Sequence, residues 1–509
     1  MMANPLFDSL WGIHSGKNTP FLRLTNQEVI SHGKFLEVST QVANALVQYG
    51  LVAGDRIAIQ VTKSPEALAL FAACVQAGIV FVPLNTAYTV EELAYFIEDS
   101  GARLIVCDEA NEFELAKLAK TLGSRVVTLN ADGSGTLLDV ARTLPAISMT
   151  IERSPDDLAA LLYTSGTTGR SKGAMLTHNN LLSNAKTLAR EWRFTKTDVL
   201  LHALPIFHLH GLFVAINVML ISGGSIVFLP KFDLEQIIDE LPNVSSIMGV
   251  PTFYTRLLHD ERLTRDLTKH IRLFVSGSAP LLLETFVNFE VRTGHRILER
   301  YGMTETNMNT SNPYDGERRA GTVGLPLPGV EVKITKPNSN TTITTGEIGQ
   351  IEVRGPNVFK GYWQMPEKTA AEFRDDGFFI TGDLGRIDED GYVHIIGRSR
   401  DLIISGGYNI YPKEIECVLD SQPSVMESAV IGVPDVDLGE TVVGLIVPKK
   451  GKTPNIEEIK SALAKTLAKF KHPRKIRIID ELPRNAMGKV QKNILRNTYK
   501  ESFLNSEKI

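Results

Sequence analysis

Hydrophobic positions along the chain fall into two textures. Short runs rich in β-branched residues, 56–61 (RIAIQV), 103–108 (RLIVCD), 125–130 (RVVTLN) and 225–230 (SIVFLP), are separated by stretches of helical length such as 64–78 (SPEALALFAACVQAG). Strands alternating with helices build βαβ units, so this part is expected to be α/β with mostly parallel sheet. After about residue 328 the runs shorten and turn dipeptides crowd between them, as in EVKITKPNSNTT and DGFFITGDLGRIDEDGYVHIIG. That spacing predicts an antiparallel or barrel-like subdomain over about 329–398. From 399 a Gly- and Arg-rich segment leads into helix KEIECVLD, strands SAVIGV and VVGLIV, helix IEEIKSALAKTLAKF and strand KIRIID. A large domain over 1–398 and a small α+β domain over 399–509 are therefore expected. The apolar stretch 212–229 contains Asn217 and a Ser-Gly-Gly-Ser break at 222–225, so it reads as helix, turn and strand, not as a membrane span.

Composition narrows the class. With 509 residues, 43% hydrophobic and 22% charged, the chain is expected to be a multi-domain globular protein. Cys74, Cys107 and Cys417 lack the paired spacing of a zinc site or a disulfide framework, and the N-terminus lacks a basic-then-apolar leader. A cytoplasmic protein with reduced thiols is the expectation. The net charge of −4 gives no reason to expect nucleic acid, but its distribution is uneven. Residues 451–509 hold 14 Lys and Arg against 6 Asp and Glu, a basic tail facing an acidic remainder. A polyphosphate would fit between them.

Residues 163–173, YTSGTTGRSKG, look at first like a nucleotide loop. The P-loop pattern fails, because Gly173 follows Lys172 and neither Gly166 nor Gly169 stands four residues before a Gly-Lys pair. Flexible backbone, free N–H groups and successive hydroxyls are nonetheless what enfolding a phosphate needs. Taken alone, the segment reads equally as a Ser/Gly surface loop.

Four further segments follow in order: YGMTE (301–305), TGD (381–383), GRSRDLIISGGYNIYPKEIE (397–416) and PRNAMGK (483–489). Together with the first they resemble the adenylate-forming acyl-CoA synthetase superfamily, over about 320 residues. The resemblance implies two half-reactions, in which a carboxylate and ATP give an acyl-adenylate and pyrophosphate, and CoA then displaces AMP. It implies that Thr164, Ser165, Gly166, Thr167, Thr168, Gly169 and Lys172 hold phosphate, and that Glu305 coordinates Mg²⁺ with help from Thr164. Gly277, Ser278, Glu299, Tyr301, Gly302 and Thr304 would surround the nucleotide. Asp383 would accept from the ribose hydroxyls, with Arg398 adding a contact. Lys489 would bridge the α-phosphate and the attacking carboxylate, Lys492 being the weaker competitor, and His208 would position or gate the acyl pocket, a role not assigned to His210. Ser405, Gly406 and Gly407 would pass the pantetheine arm after the mobile small domain turns about Arg400.

The acid is suggested by Arg300, which precedes YGMTE; at this place, the resemblance implies, many members that take uncharged acids carry glycine. An arginine buried there asks for a second carboxylate; one turned to solvent or to Glu299 would not. The segments ERYGMTE and DGERRAGTVGLPLPG are similar to the malonyl-CoA synthetase group, which implies that Arg300 and Ser278 hold the far end of malonate. Methylmalonate or another short acid is the alternative. Two rival readings are an adenylation module serving a carrier protein, though no carrier sequence follows residue 509, and a nucleotide binder without catalysis, disfavoured by the lysine motif. The expected partners are small molecules, with neither nucleic acid nor membrane. Acylation would remove the charge of Lys489, so a lysine acyltransferase or deacylase is a further candidate partner.

Overall fold

The chain folds around four β-sheets, seen here in a computed structural model that describes residues 3–500 apart from 148, 165–170, 338, 406–407, 436–437 and 486–487. A six-stranded sheet runs Arg125–Thr128, Leu104–Cys107, Arg56–Gln60, Val80–Pro83, Leu158–Thr164, Lys172–Thr177, parallel but for its last pair. Strands such as Leu104–Cys107 and Val80–Pro83 are buried at every position, as sheet covered by helices on both faces must be. The run at 64–78 forms helix Pro65–Gln76, with Pro65 at its start and the Ser64 hydroxyl accepting from the Ala67 N–H. Both features satisfy groups that a helix start leaves open.

A nine-stranded sheet carries most of the site. Its parallel centre orders Leu298–Met303, Leu273–Ser276, Ser246–Gly249, Val199–His202, Ser225–Phe228 and Pro20–Arg23. Ligands of such sheets bind beyond the carboxyl ends of the strands. That edge holds the start of the 203–211 segment and the 277–281 turn. The stretch at 212–229 folds as expected in outline, with helix Asn217–Ser222, Gly223 at φ 71° and strand Ser225–Phe228. Its beginning departs from expectation: His210–Ile216 is a π-helical stretch. Gly211 makes this possible, because a Cβ there would stand 2.0 Å from the Pro205 carbonyl oxygen.

The β-rich part is a four-stranded antiparallel sheet of Glu331–Thr335, Gly349–Arg354, Phe379–Ile387 and Val393–Arg398. A separate five-stranded sheet, with helices Pro412–Asp420 and Ile456–Thr466 on its own small apolar core, follows the turn Ser399–Asp401. Among the described residues no helix is long and apolar enough to cross a membrane.

Candidate active site

Strand register builds the polar end of the site. Asp383 and Arg398 are opposite one another on antiparallel neighbours, so their side chains share a face, and Arg398 Nε donates to Asp383 Oδ1 at 2.8 Å. The Tyr301 hydroxyl donates to the other oxygen at 2.5 Å. Arg398 and Tyr301 thus fix a buried carboxylate whose remaining lone pairs can still accept from two hydroxyls. Burial, and secondarily the Arg398 cation, pull Lys489 down to about 8, with Asp383 opposing. The lysine therefore stands in the electrostatic field of this pair.

A second group surrounds Glu305, a buried carboxylate raised above its ordinary range chiefly by burial. Thr164 Oγ1 lies 3.3 Å and the Tyr362 hydroxyl 3.1 Å from Glu305 Oε1. Tyr362 also reaches Glu372 Oε2 at 2.6 Å, and Glu372 Oε1 pairs with Lys172 at 3.2 Å. The Lys172 ammonium sits 4.1 Å over the Tyr362 ring. One carboxylate beside a hydroxyl suits a hard cation that takes phosphate and water as its other ligands. Among the described residues no cluster of three or more His, Cys, Asp or Glu could hold an ion by itself.

The apolar end is dominated by Arg300. It is 3% exposed, and its Nε and Nη2 have no hydrogen-bond partner among the described residues. Burial brings its guanidinium down to about 10, with Tyr254 and Glu299 opposing the shift. Glu299, its neighbour on the strand, points to the other face and accepts from the Leu281 N–H at 3.2 Å. The arginine is thus turned neither to solvent nor onto Glu299. Burial, then Arg300 and Lys489, depress His208 to about 4, so the ring is neutral. His210, to which the sequence assigned no role, is 1% exposed and lies 3.3 Å through Nδ1 from Ser278 Oγ. Ser278 has φ 71°, a left-handed backbone that turns its hydroxyl inward at the end of strand Leu273–Ser276.

Other expected positions are distributed around these groups. Gly302 lies near the end of strand Leu298–Met303 and Thr304 in the turn that follows, and a Cβ on Gly302 would stand 1.9 Å from the Asn307 carbonyl oxygen. Ser405 closes strand Ile403–Ser405, and Arg400 is exposed in the Ser399–Asp401 turn. Ser165, Gly166, Thr167, Thr168, Gly169, Gly406 and Gly407 lie outside the described residues. Strands Leu158–Thr164 and Lys172–Thr177, which flank the first of these groups, are antiparallel, with Thr164 opposite Lys172. A P-loop joins a strand to a helix; this segment joins two strands.

Residues 14–363 match the AMP-binding enzyme family, and 414–489 match the AMP-binding enzyme C-terminal domain. The chain belongs to this family. It is 36% identical to a malonate–CoA ligase of Arabidopsis thaliana, over 95% of this chain and 85% of that protein. Among solved structures it resembles ATP-bound MatB from Rhodopseudomonas palustris at 55% identity and a TM-score of 0.97, covering 99% and 100% of the two chains. Apo MatB from the same organism gives a TM-score of 0.86 at the same identity and coverage.

The family match frames the choice between the two tail lysines. Lys492 Nζ is bound to Glu416 within the small domain at 2.5 Å, whereas Lys489 is coupled electrostatically to Arg398 and Asp383 of the large one. Residues that sequence reasoning missed are Tyr362, Glu372 and His210. For the first two the signal was absent, since GYW and AAEF look like ordinary surface and core positions until folding brings them to Glu305. For His210 it was present in the FHLHG spacing and was discounted.

Proposed function

We propose that this chain ligates malonate to CoA, giving malonyl-CoA, AMP and pyrophosphate through a malonyl-adenylate. One carboxylate oxygen attacks the α-phosphorus of ATP, the bond to the bridging oxygen of the β-phosphate breaks, and pyrophosphate leaves. The CoA thiol, losing its proton, then attacks the acyl carbon, and AMP departs with the bonding pair. Two anions repel each other in the first step, and Lys489 offsets that repulsion between the incoming carboxylate and the α-phosphate. Asp383, held by Tyr301 and Arg398, orients the ribose. Mg²⁺, held by Glu305 and Thr164, would neutralise charge on the departing phosphates. His208 is neutral and positions the acyl group, and Ser405 with Gly406 and Gly407 borders the thiol's path. The cytoplasmic setting expected from the unpaired cysteines belongs to the same proposal.

The single observation that carries malonate is a pair of donors, Nε and Nη2, without partners among the described residues, on an arginine buried in the acyl end of the site. Such donors are costly unless an anion meets them, and a dicarboxylic acid reaches them with its far end while its near end meets ATP. Pyrophosphate release should be measured over acetate, malonate, methylmalonate and succinate, for the unaltered protein and for Arg300→Gly. Malonate should be preferred to acetate by about 10⁴, and the substitution should erase that preference. An unchanged preference would defeat the role of Arg300, and ADP in place of AMP would defeat the whole scheme.

A further inference from the structure

We propose that His210 is a specificity-determining residue: its Nε2–H donates to the far carboxylate of the acid beside Arg300, and Ser278 holds the ring in the tautomer that can do so. The inference rests on the dicarboxylate reading above and assigns the site a second recognition group.

Among the described residues, three buried nitrogen atoms in this corner lack hydrogen-bond partners: Nε and Nη2 of Arg300 and Nε2 of His210. The Arg300 guanidinium packs against Gly277 and the His210 ring meets Ser278, the next residue, so the three belong to one corner of the site. Burial, and then that cation, hold His210 well below its ordinary titration range. A neutral imidazole carries one N–H, and the question is which nitrogen has it. With the proton on Nδ1, the ring would donate to Ser278 and aim a bare lone pair from Nε2 into a space built for an anion. With the proton on Nε2, the Ser278 hydroxyl donates to Nδ1 across 3.3 Å, and three N–H donors converge on a group with four lone pairs. Binding a carboxylate selects the second form. Ser278 keeps φ 71° although a side chain rarely tolerates it, which fits a hydroxyl that must point at one atom.

The two histidines divide the work. The backbone N–H of His210 points to Nδ1 of His208 at 3.4 Å, which leaves the ring N–H of His208 on Nε2. His208 feels both Arg300 and Lys489, whereas His210 feels Arg300 and its neighbouring histidines. His208 is thus coupled to the cations at both ends of the site, and His210 to Arg300 alone of the two.

His210→Phe keeps the ring volume and removes the donor, and His210→Gln returns an amide donor. KM and kcat for malonate and acetate should be measured with ATP saturating. For His210→Phe the malonate KM should rise roughly 10- to 100-fold, the loss expected for a hydrogen bond to a charged group, while acetate changes by less than about 3-fold. His210→Gln should recover part of the loss, and Ser278→Ala should fall between. In unaltered protein with ¹⁵N-labelled histidine, malonate should shift one ring to the Nε2–H tautomer, and that ring should vanish from the His210→Gln spectrum. An unchanged malonate-to-acetate ratio in His210→Phe, or an Nδ1–H ring with malonate bound, overturns the proposal and leaves the dicarboxylate reading standing. If His210→Phe loses its ATP-dependent rise in Tm and so has not folded, the ring spectrum and His210→Gln decide the matter. If unaltered protein fails to prefer malonate to acetate, the dicarboxylate reading falls and this inference with it.

Discussion

The guanidinium of Arg300 lies against the α-carbon of Gly277, so closely that a Cβ there would stand 2.3 Å from Cζ and 2.5 Å from both Nε and Nη1. No left-handed angle is needed at Gly277, so its role is to leave room. Gly277→Ala should push the guanidinium off its seat at a cost of about 1–3 kcal/mol, the usual penalty of overpacking. Malonate KM should rise about tenfold or more, while ATP KM holds within about threefold. Steady-state kinetics with both substrates varied checks this, and equal loss toward ATP and malonate would count against it.

In the proposed reaction Lys489 acts as a cation, and burial, then Arg398, bring it down to about 8. A lysine with a lowered pKa loses its charge as pH rises through that value, not as pH falls. kcat/KM for pyrophosphate release should therefore drop about tenfold per pH unit above pH 8, because this ratio reports the free enzyme. Thioester formation from supplied malonyl-adenylate should not follow that limb. Lys489→Arg should move the limb to higher pH, and Lys489→Met should cost the first half-reaction roughly 10²- to 10³-fold. An acyl group on Lys489 should mimic the methionine substitution.

Glu305 and Tyr362 offer a test through the metal. The Tyr362 hydroxyl has one proton and two carboxylates within reach, at 2.6 Å and 3.1 Å, so it shares that proton between them. Tyr362→Phe leaves the Lys172–Glu372 pair in place but frees the Glu305 carboxylate to turn. The Mg²⁺ concentration for half-maximal pyrophosphate release should rise on the order of 10-fold, as for other groups that orient a metal ligand. The Mg²⁺-dependent rise in Tm with ATP present should weaken in parallel, and Glu305→Gln should weaken it further. EDTA should stop pyrophosphate release in the unaltered protein.

How much of this was legible in the sequence depended on whether neighbours in space were neighbours in the chain. Runs such as RLIVCD and SIVFLP announced buried parallel strands, because β-branched residues without alternation suit sheet covered on both sides. The burial of Arg300 followed from one substitution in a recognisable motif. The Asp383–Arg398 bond was not foreseen, since it depends on strand register, and neither was the Glu305–Tyr362–Glu372–Lys172 chain, which joins residues up to 200 positions apart. The π-helical stretch at 210–216 was also hidden: hydrophobic periodicity does not separate a π turn from an α turn over so few residues.

A last prediction concerns the N-terminal segment rather than the site. His14 and His32 stack with ring centroids 4.1 Å apart, Phe21 lies 4.7 Å beyond His32, and both histidines bond to carbonyls at the end of the buried helix, of Leu220 at 2.7 Å and Gly224 at 3.2 Å. Burial first, and His14 next, lower His32 to about 4, while burial also lowers His14. Unfolded His32 takes a proton near pH 6.5, whereas the folded protein resists it until about pH 4, so the unfolded state binds more protons in between. Stability is complete above pH 6.5 and is withdrawn as pH falls toward 4, by about 1.4 kcal/mol per unit for each such group and about 3 kcal/mol in all for His32. His32→Phe keeps a ring in the stack but leaves the Gly224 carbonyl without this donor, so it should be less stable at pH 8 by about 1–3 kcal/mol. Its Tm should nonetheless decline less steeply than that of the unaltered protein between pH 6.5 and 4. Melting curves at half-unit intervals decide the point: converging curves support a neutral, buried His32, and parallel ones would mean that the ring is already protonated or solvated in the fold.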